Sequence, residues 1–158
     1  MSYPLEVFLT QSLQSNADLV ALLGQRADGK PSVYPYHHRD VTNPMYPLVT
    51  IARFGSKING EMFSDTMYAT MMDAPRIAIC AWAKNDIDEA VAVITIIRNW
   101  IRAPTFAPGN QYFAGFKFTE RSYRDDLFDT TISAYHVHTE YDGWVQERFG
   151  NPQPIPAA

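Results

Sequence analysis

His136 and His138 stand two residues apart in a segment that reads as a strand. In a strand, side chains at i and i+2 share a face, so the two imidazoles point the same way and Glu140 follows on that face. Two imidazoles on one face can begin a metal site, which needs a third and a fourth ligand, with Glu140 the next candidate. The polar face of an edge strand accounts for the same spacing, and it is the simpler reading. His37-His38 fall in a loop beside Arg39-Asp40. Asp125, Asp126 and Asp129 cluster at an expected turn. They lack the central glycine and terminal glutamate of a calcium loop. Aspartates that bond their own backbone in a turn, with Arg121 and Arg124 as ion-pair partners, explain them. Cys80 sits mid-strand in an apolar run and reads as a small buried residue rather than a nucleophile. Neither a phosphate-cradling GxGxxG or P-loop nor a GxSxG elbow occurs. Tyr34, Tyr36 and Tyr46 either line a pocket or pin their loop to the domain. Trp82, Trp100 and Trp144 are core or interface anchors. The expectation is a protein without catalytic residues, metal or cofactor.

Composition bounds the rest. The chain has 158 residues, 46% apolar and 19% charged, with a net charge of −4. That suits one globular domain over 1–149 and excludes wholesale disorder. Phosphate contacts need clustered positive charge, and no dense Lys/Arg run exists, so a nucleic-acid-gripping surface is not expected. A single cysteine makes no internal disulfide and fits folding in a reducing cytosol. No signal-peptide pattern opens the sequence, and no apolar stretch is long enough to cross a membrane.

The elements that position these residues follow from spacing. Leu5, Phe8, Leu9 and Leu13 recur at helical intervals after Pro4. Asn16 is a natural N-cap for a second short piece, Ala17 to Leu23, with Gly24 as the residue that ends it. Turn formers crowd 25–46, which reads as a long irregular connection. Leu48 to Ile58 alternates as a strand. Residues 59–75 form a Met-rich segment that begins at Asn59-Gly60 and ends at Ala74-Pro75. Arg76 to Ala83 carries little charge and reads as a central strand. Asn85 or Asp86 caps a helix to Arg102, which Pro104 and Pro108 end. Tyr112 to Tyr123 and Thr130 to Tyr141 form a final antiparallel pair, turning at Asp125-Asp126. Pro152, Pro154 and Pro156 make 150–158 an extended tail. The fold class is α+β: one mainly antiparallel sheet of about four strands with two helices packed on it.

One helix is too apolar for a lone domain. Ile87, Ala90, Val91, Ile94, Ile97 and Ile101 make one stripe, and Val93, Ile96 and Trp100 a second beside it. At about 100° per residue the combined arc is about 220°, roughly twice what a core-covering surface helix needs. The N-terminal helix of the same chain is one candidate cover and a neighbouring subunit the other. Met62, Phe63, Met67, Tyr68, Met71 and Met72 pose the same choice, since methionine suits adaptable contact surfaces. With Val93, Ile96 and Trp100 they form the expected contact set toward another subunit or a tube.

The order of these blocks resembles the tail-completion and tail-terminator proteins of long-tailed phages. The blocks are Ala21-Leu22-Leu23-Gly24-Gln25-Arg26 ending a helix, Tyr46-Pro47-Leu48-Val49-Thr50-Ile51 entering a strand, and the strand Arg76 to Trp82. The long helix Asp86 to Arg102 and the late strands within Phe116 to Tyr141 complete the set, which spans most of the chain. The 27–45 connection, the Met-rich segment and the tail after Phe149 depart from the compact pattern. The resemblance implies a homo-oligomeric ring, of six subunits, in the virion at the head-proximal end of the tail tube. It would be assembled in the host cytoplasm. Its partners would be the tail tube protein and the head–tail connector protein, with DNA passing through the lumen unread. The competing expectation is a ferredoxin-like α+β dimer that holds a small apolar molecule at Tyr34, Tyr36, Trp82 and His136 and is stabilised by it.

Overall fold

A computed structural model describes residues 5–64, 69–103 and 113–149, with side chains described outside 55–74, 113–116 and 146–149. The chain opens with helix α1 (Leu5–Gln14) and the one-turn α2 (Ala17–Val20). A two-residue strand β1 (Val33–Tyr34) and a 3-10 turn (His38–Asp40) lead into β2 (Leu48–Ser64) and β3 (Ala69–Ala83). Helix α3 (Ile87–Arg102) separates these from β4 (Phe113–Asp129) and β5 (Ala134–Phe149). The sheet runs β1-β2-β3-β5-β4. All pairings are antiparallel except β1 to β2, where Val33 and Tyr34 pair in parallel with Val49 and Thr50. The sheet is therefore mixed and five-stranded, one short strand more than expected. A two-residue strand is too brief to show a period of two in the sequence.

Capping behaves as the side chains dictate. Asn16 accepts the Leu19 amide at 3.2 Å, opening α2 as expected. Asp86, not Asn85, caps α3 by accepting the Asp88 amide at 3.1 Å. Alternation along the strands then sorts the sheet into two faces. Val49 and Ile51, Ile77, Ile79 and Ala81, and Val137, Tyr141 and Val145 meet the helices through Leu5, Leu9, Leu13, Leu19, Val93, Ile94 and Ile97. Each such large aliphatic side chain contributes roughly 1.5–3 kcal/mol on burial. Ion pairs at two carboxylates, Glu6 and Glu120, fasten the helices to the sheet. Arg53 Nε donates to Glu6 at 2.7 Å, and Arg98 donates twice to Glu120 at 2.7 and 3.0 Å while its guanidinium lies 4.1 Å over the Tyr123 ring.

Two expectations are corrected, both by bulges. Residues 59–64 and 69–75 continue β2 and β3 instead of forming a separate segment between strands. The Asn59-Gly60-Glu61 stretch is absorbed by a register shift between Asn59↔Met72 and Met62↔Met71. Asp125-Asp126 likewise makes no turn. The pair is the excess in β4 between Arg124↔His138 and Leu127↔His136. The chain reverses four residues later, where Asp129 accepts the Thr131 and Ile132 amides at 2.9 and 3.4 Å and Ser133 adopts φ 51°. A bulge takes up surplus residues without ending the ladder, so residues that favour turns need not make one. Pro4, Met67, Tyr68, Pro104, Pro108, Tyr112 and the 150–158 tail lie outside the described residues.

Candidate functional site

All three helices sit on one face of the sheet, so the opposite face decides what the molecule can touch. At one end of that face the 35–47 connection folds down. Tyr34, Leu48, Cys80, Trp82 and Ala134 form a small second core there, edged by Val41, Tyr46 and Ile132. Trp82 stacks on His136 with centroids 4.2 Å apart, and His38 lies 4.5 Å from the indole on its own side. His38 Nε2 and the Tyr46 hydroxyl are 2.9 Å apart, and the indole N–H donates to Thr50 Oγ1 at 3.0 Å. Burial holds both His38 and His136 below the ordinary imidazole range; for His136 the neighbouring His138 adds to the effect. These rings pin the loop to the sheet, which is one of the two roles open to Tyr46 in the sequence.

Beside them runs a thiol–imidazole–carboxylate chain. Cys80 Sγ lies 3.0 Å from His138 Nδ1, and His138 Nε2 lies 3.0 Å from Glu140 Oε1. The order is that of a nucleophile, a base and an orienting acid. Its electrostatics are not. Burial pushes the Cys80 thiol up to about 12, so it remains a neutral donor at pH 7, and thiolate chemistry needs the opposite shift. His138 spends both ring nitrogens on these neighbours, so His136 and His138 do not act as a pair. His136 Nδ1 is buried without a hydrogen-bond partner. Among the described residues, no three His, Cys, Asp or Glu side chains are placed to hold a metal ion. No described helix is long and apolar enough to cross a membrane.

The expected contact set divides. Val93 is sealed in the protomer's own core (0% exposed), whereas Ile96 and Trp100 are half-buried at its edge. The surplus arc of α3 is thus covered largely from within the chain, by the sheet and by Leu19 and Leu23 on the N-terminal side. Met62, Phe63, Met71 and Met72 lie in the paired strands β2 and β3, and their side chains are outside the described set. The structure adds surface residues that periodicity does not single out. Phe54, Phe128 and Trp144 are each nearly half exposed, as is Met45, with Val20 and Leu22 close behind. Phe54 sits at a β2 bulge and Phe128 follows a β4 bulge, where the ladder changes register. Trp144 alternates with the buried Val145 and Tyr141.

Residues of the competing small-molecule reading pack in pairs against one another. Trp82 and His136 fill each other's space, and Tyr34 packs on Tyr36 with centroids 5.7 Å apart. A depression of about 600 Å³ lies elsewhere, between the turn after α2 and the start of α3.

No protein-family model matches the chain, and no curated protein sequence does. Among solved structures, a chain of one described as "Virion of native gene transfer agent (GTA) particle" superposes with a TM-score of 0.52 at 13% identity. The match covers 92% of this chain and 95% of that one, so the two share a fold along nearly their whole lengths.

Proposed function

We propose that the chain is a structural subunit of a phage-like virion and acts by assembly, not by catalysis. The observation that carries this reading is the end-to-end likeness in fold to a chain of a gene transfer agent virion. The order of blocks in the sequence narrows it to a ring of six copies at the head-proximal end of the tail tube. The ring ends tube polymerisation and presents a surface to the head connector.

Surface chemistry is consistent with this role. Phe54, Phe128 and Trp144 are exposed, and Ile96 and Trp100 are half-buried. Apolar side chains of this size at a surface mark contacts when they cluster into patches. Strand addition at the β4 edge is discouraged, because three register shifts and Arg121, Arg124, Asp125 and Asp126 interrupt it. Copies are therefore expected to join by side-chain packing. A net charge of −4 would let DNA slide through the opening without being held.

The test is electron microscopy of tail tubes polymerised from purified tube protein with and without this chain. Capped tubes of limited length, with density for the chain at one end, are expected. Tubes of unchanged length with no end density overturn the reading.

A further inference from the structure

The 600 Å³ groove between the turn after α2 and the start of α3 is lined by the apolar Leu22, Pro47 and Ala92 and by Lys84, Asp88 and Glu89. Its walls are fixed before anything binds. The Gly24 amide donates to Pro47 O at 2.9 Å, tying the α2 turn to the strand entry. Lys84 Nζ donates to Ile132 O at 2.9 Å and lies 5.5 Å from the centre of the Tyr46 ring, so its charge is already engaged.

Asp88 and Glu89 are different. Neither carboxylate has an ion-pair partner among the described residues, and both line the groove together with Leu22, Pro47 and Ala92. The α3 dipole accounts for acids in a first turn. It does not account for the apolar residues that line the same groove. Concave apolar sites with a few fixed polar groups are where ligands and segments dock, and a preformed wall lowers the cost of ordering.

We propose that this groove docks a short extended segment of a partner protein in which a lysine or arginine neighbours an apolar side chain. The cation meets Asp88 and Glu89, and the apolar group lies on Leu22, Pro47 and Ala92. Charge complementarity selects a cation. Most of the described arginines are paired at home, among them Arg26 to Asp28, Arg53 to Glu6, Arg76 to Asp142 and Arg98 to Glu120, so a second copy of this chain has few free cations to offer. The proposal does not depend on the ring reading.

The test is selection of a random displayed-peptide library on the purified full chain, alongside the double variant D88N/E89Q. Neither substitution removes a side-chain bond, and thermal melting checks that the variant folds. Peptides enriched in a basic residue next to an apolar one are expected. They should bind the double variant about five- to ten-fold more weakly and lose affinity as salt rises. Leu22→Ser should weaken them too, and amide NMR shifts should centre on Leu22 and Ala92. Absence of a consensus, an acidic or neutral consensus, equal binding by the double variant, or shifts centred elsewhere overturns the proposal. Self-association in sedimentation that the double variant abolishes also overturns it, by giving the groove to a second copy.

Discussion

Gly24→Ala is expected to destabilise the fold through a steric cause that the sequence disguises. In the sequence Gly24 stands where a helix-ending residue with positive φ belongs. Among the described residues the positive-φ glycine is Gly29, and Gly24 is needed for space. A Cβ at Gly24 would lie 2.6 Å from Met45 O and 2.9 Å from both Met45 C and Tyr46 O. Those are backbone atoms and cannot swing aside. The glycine cannot retreat either, since its N–H bonds Pro47 O and its carbonyl accepts the Ser32 amide, each at 2.9 Å. Overpacking of this kind costs about 1–3 kcal/mol. At about 2.1 cal/mol/K of unfolding entropy per residue, a chain of this length loses roughly 3–9 °C in Tm. Asparagine separates the two causes. It is the best-tolerated substitute at a left-handed helix end, so under that cause Gly24→Asn would be milder than Gly24→Ala. Under close approach it is at least as damaging, because it carries the same Cβ and more. Differential scanning calorimetry of both variants decides. An unchanged Tm for Gly24→Ala, or Gly24→Asn near wild type, refutes the steric account.

Burial lowers the His38 and His136 pKa values, so below about pH 6.5 the unfolded chain binds more protons than the folded one. Stability should hold above that pH and fall as the pH drops below it, with His136→Phe flattening the slope; a Tm that stays level or rises on acidification contradicts this. With its thiol near 12 and buried, Cys80 should resist an aromatic disulfide reagent at pH 8 in the folded protein and react once guanidinium unfolds it. Rapid native labelling would show the site to be open. Glu120→Ala strips Arg98 and Arg102 of their shared carboxylate in a half-buried setting and should cost about 1–3 kcal/mol in urea melts. Loss of the same size in an Arg98→Ala background would show that the Arg98–Glu120 coupling is not the source.

The helical layer was legible because each apolar stripe has one face to cover. Leu5, Leu9 and Leu13, and Ile94, Ile97 and Ile101, are buried where their spacing puts them. Both helix N-caps follow from a short polar side chain before an apolar run. The sheet was legible in its central strand and less so at its limits. Asn59-Gly60 and Asp125-Asp126 are turn formers by type, yet the long antiparallel ladders absorb them as bulges. No local preference reports whether a partner strand continues beyond it. On the candidate surface, Ile96 and Trp100 reach the protomer's edge while Val93 does not. Helical spacing places all three beside the core stripe and does not report how far the core extends around the helix. The Cys80–His138–Glu140 chain was half legible, since His138 and Glu140 share a face by spacing, while Cys80 joins them only through the β3–β5 register.

Assembly into a closed ring is the claim on which the functional reading turns, and native mass spectrometry of the purified chain, alone and with isolated tail tubes, tests it most directly. A discrete species of six copies, formed by itself or on the tubes and lost on Trp100→Asp in a variant that still melts cooperatively, is the predicted result. A mass of one copy under every condition, tubes included, contradicts it.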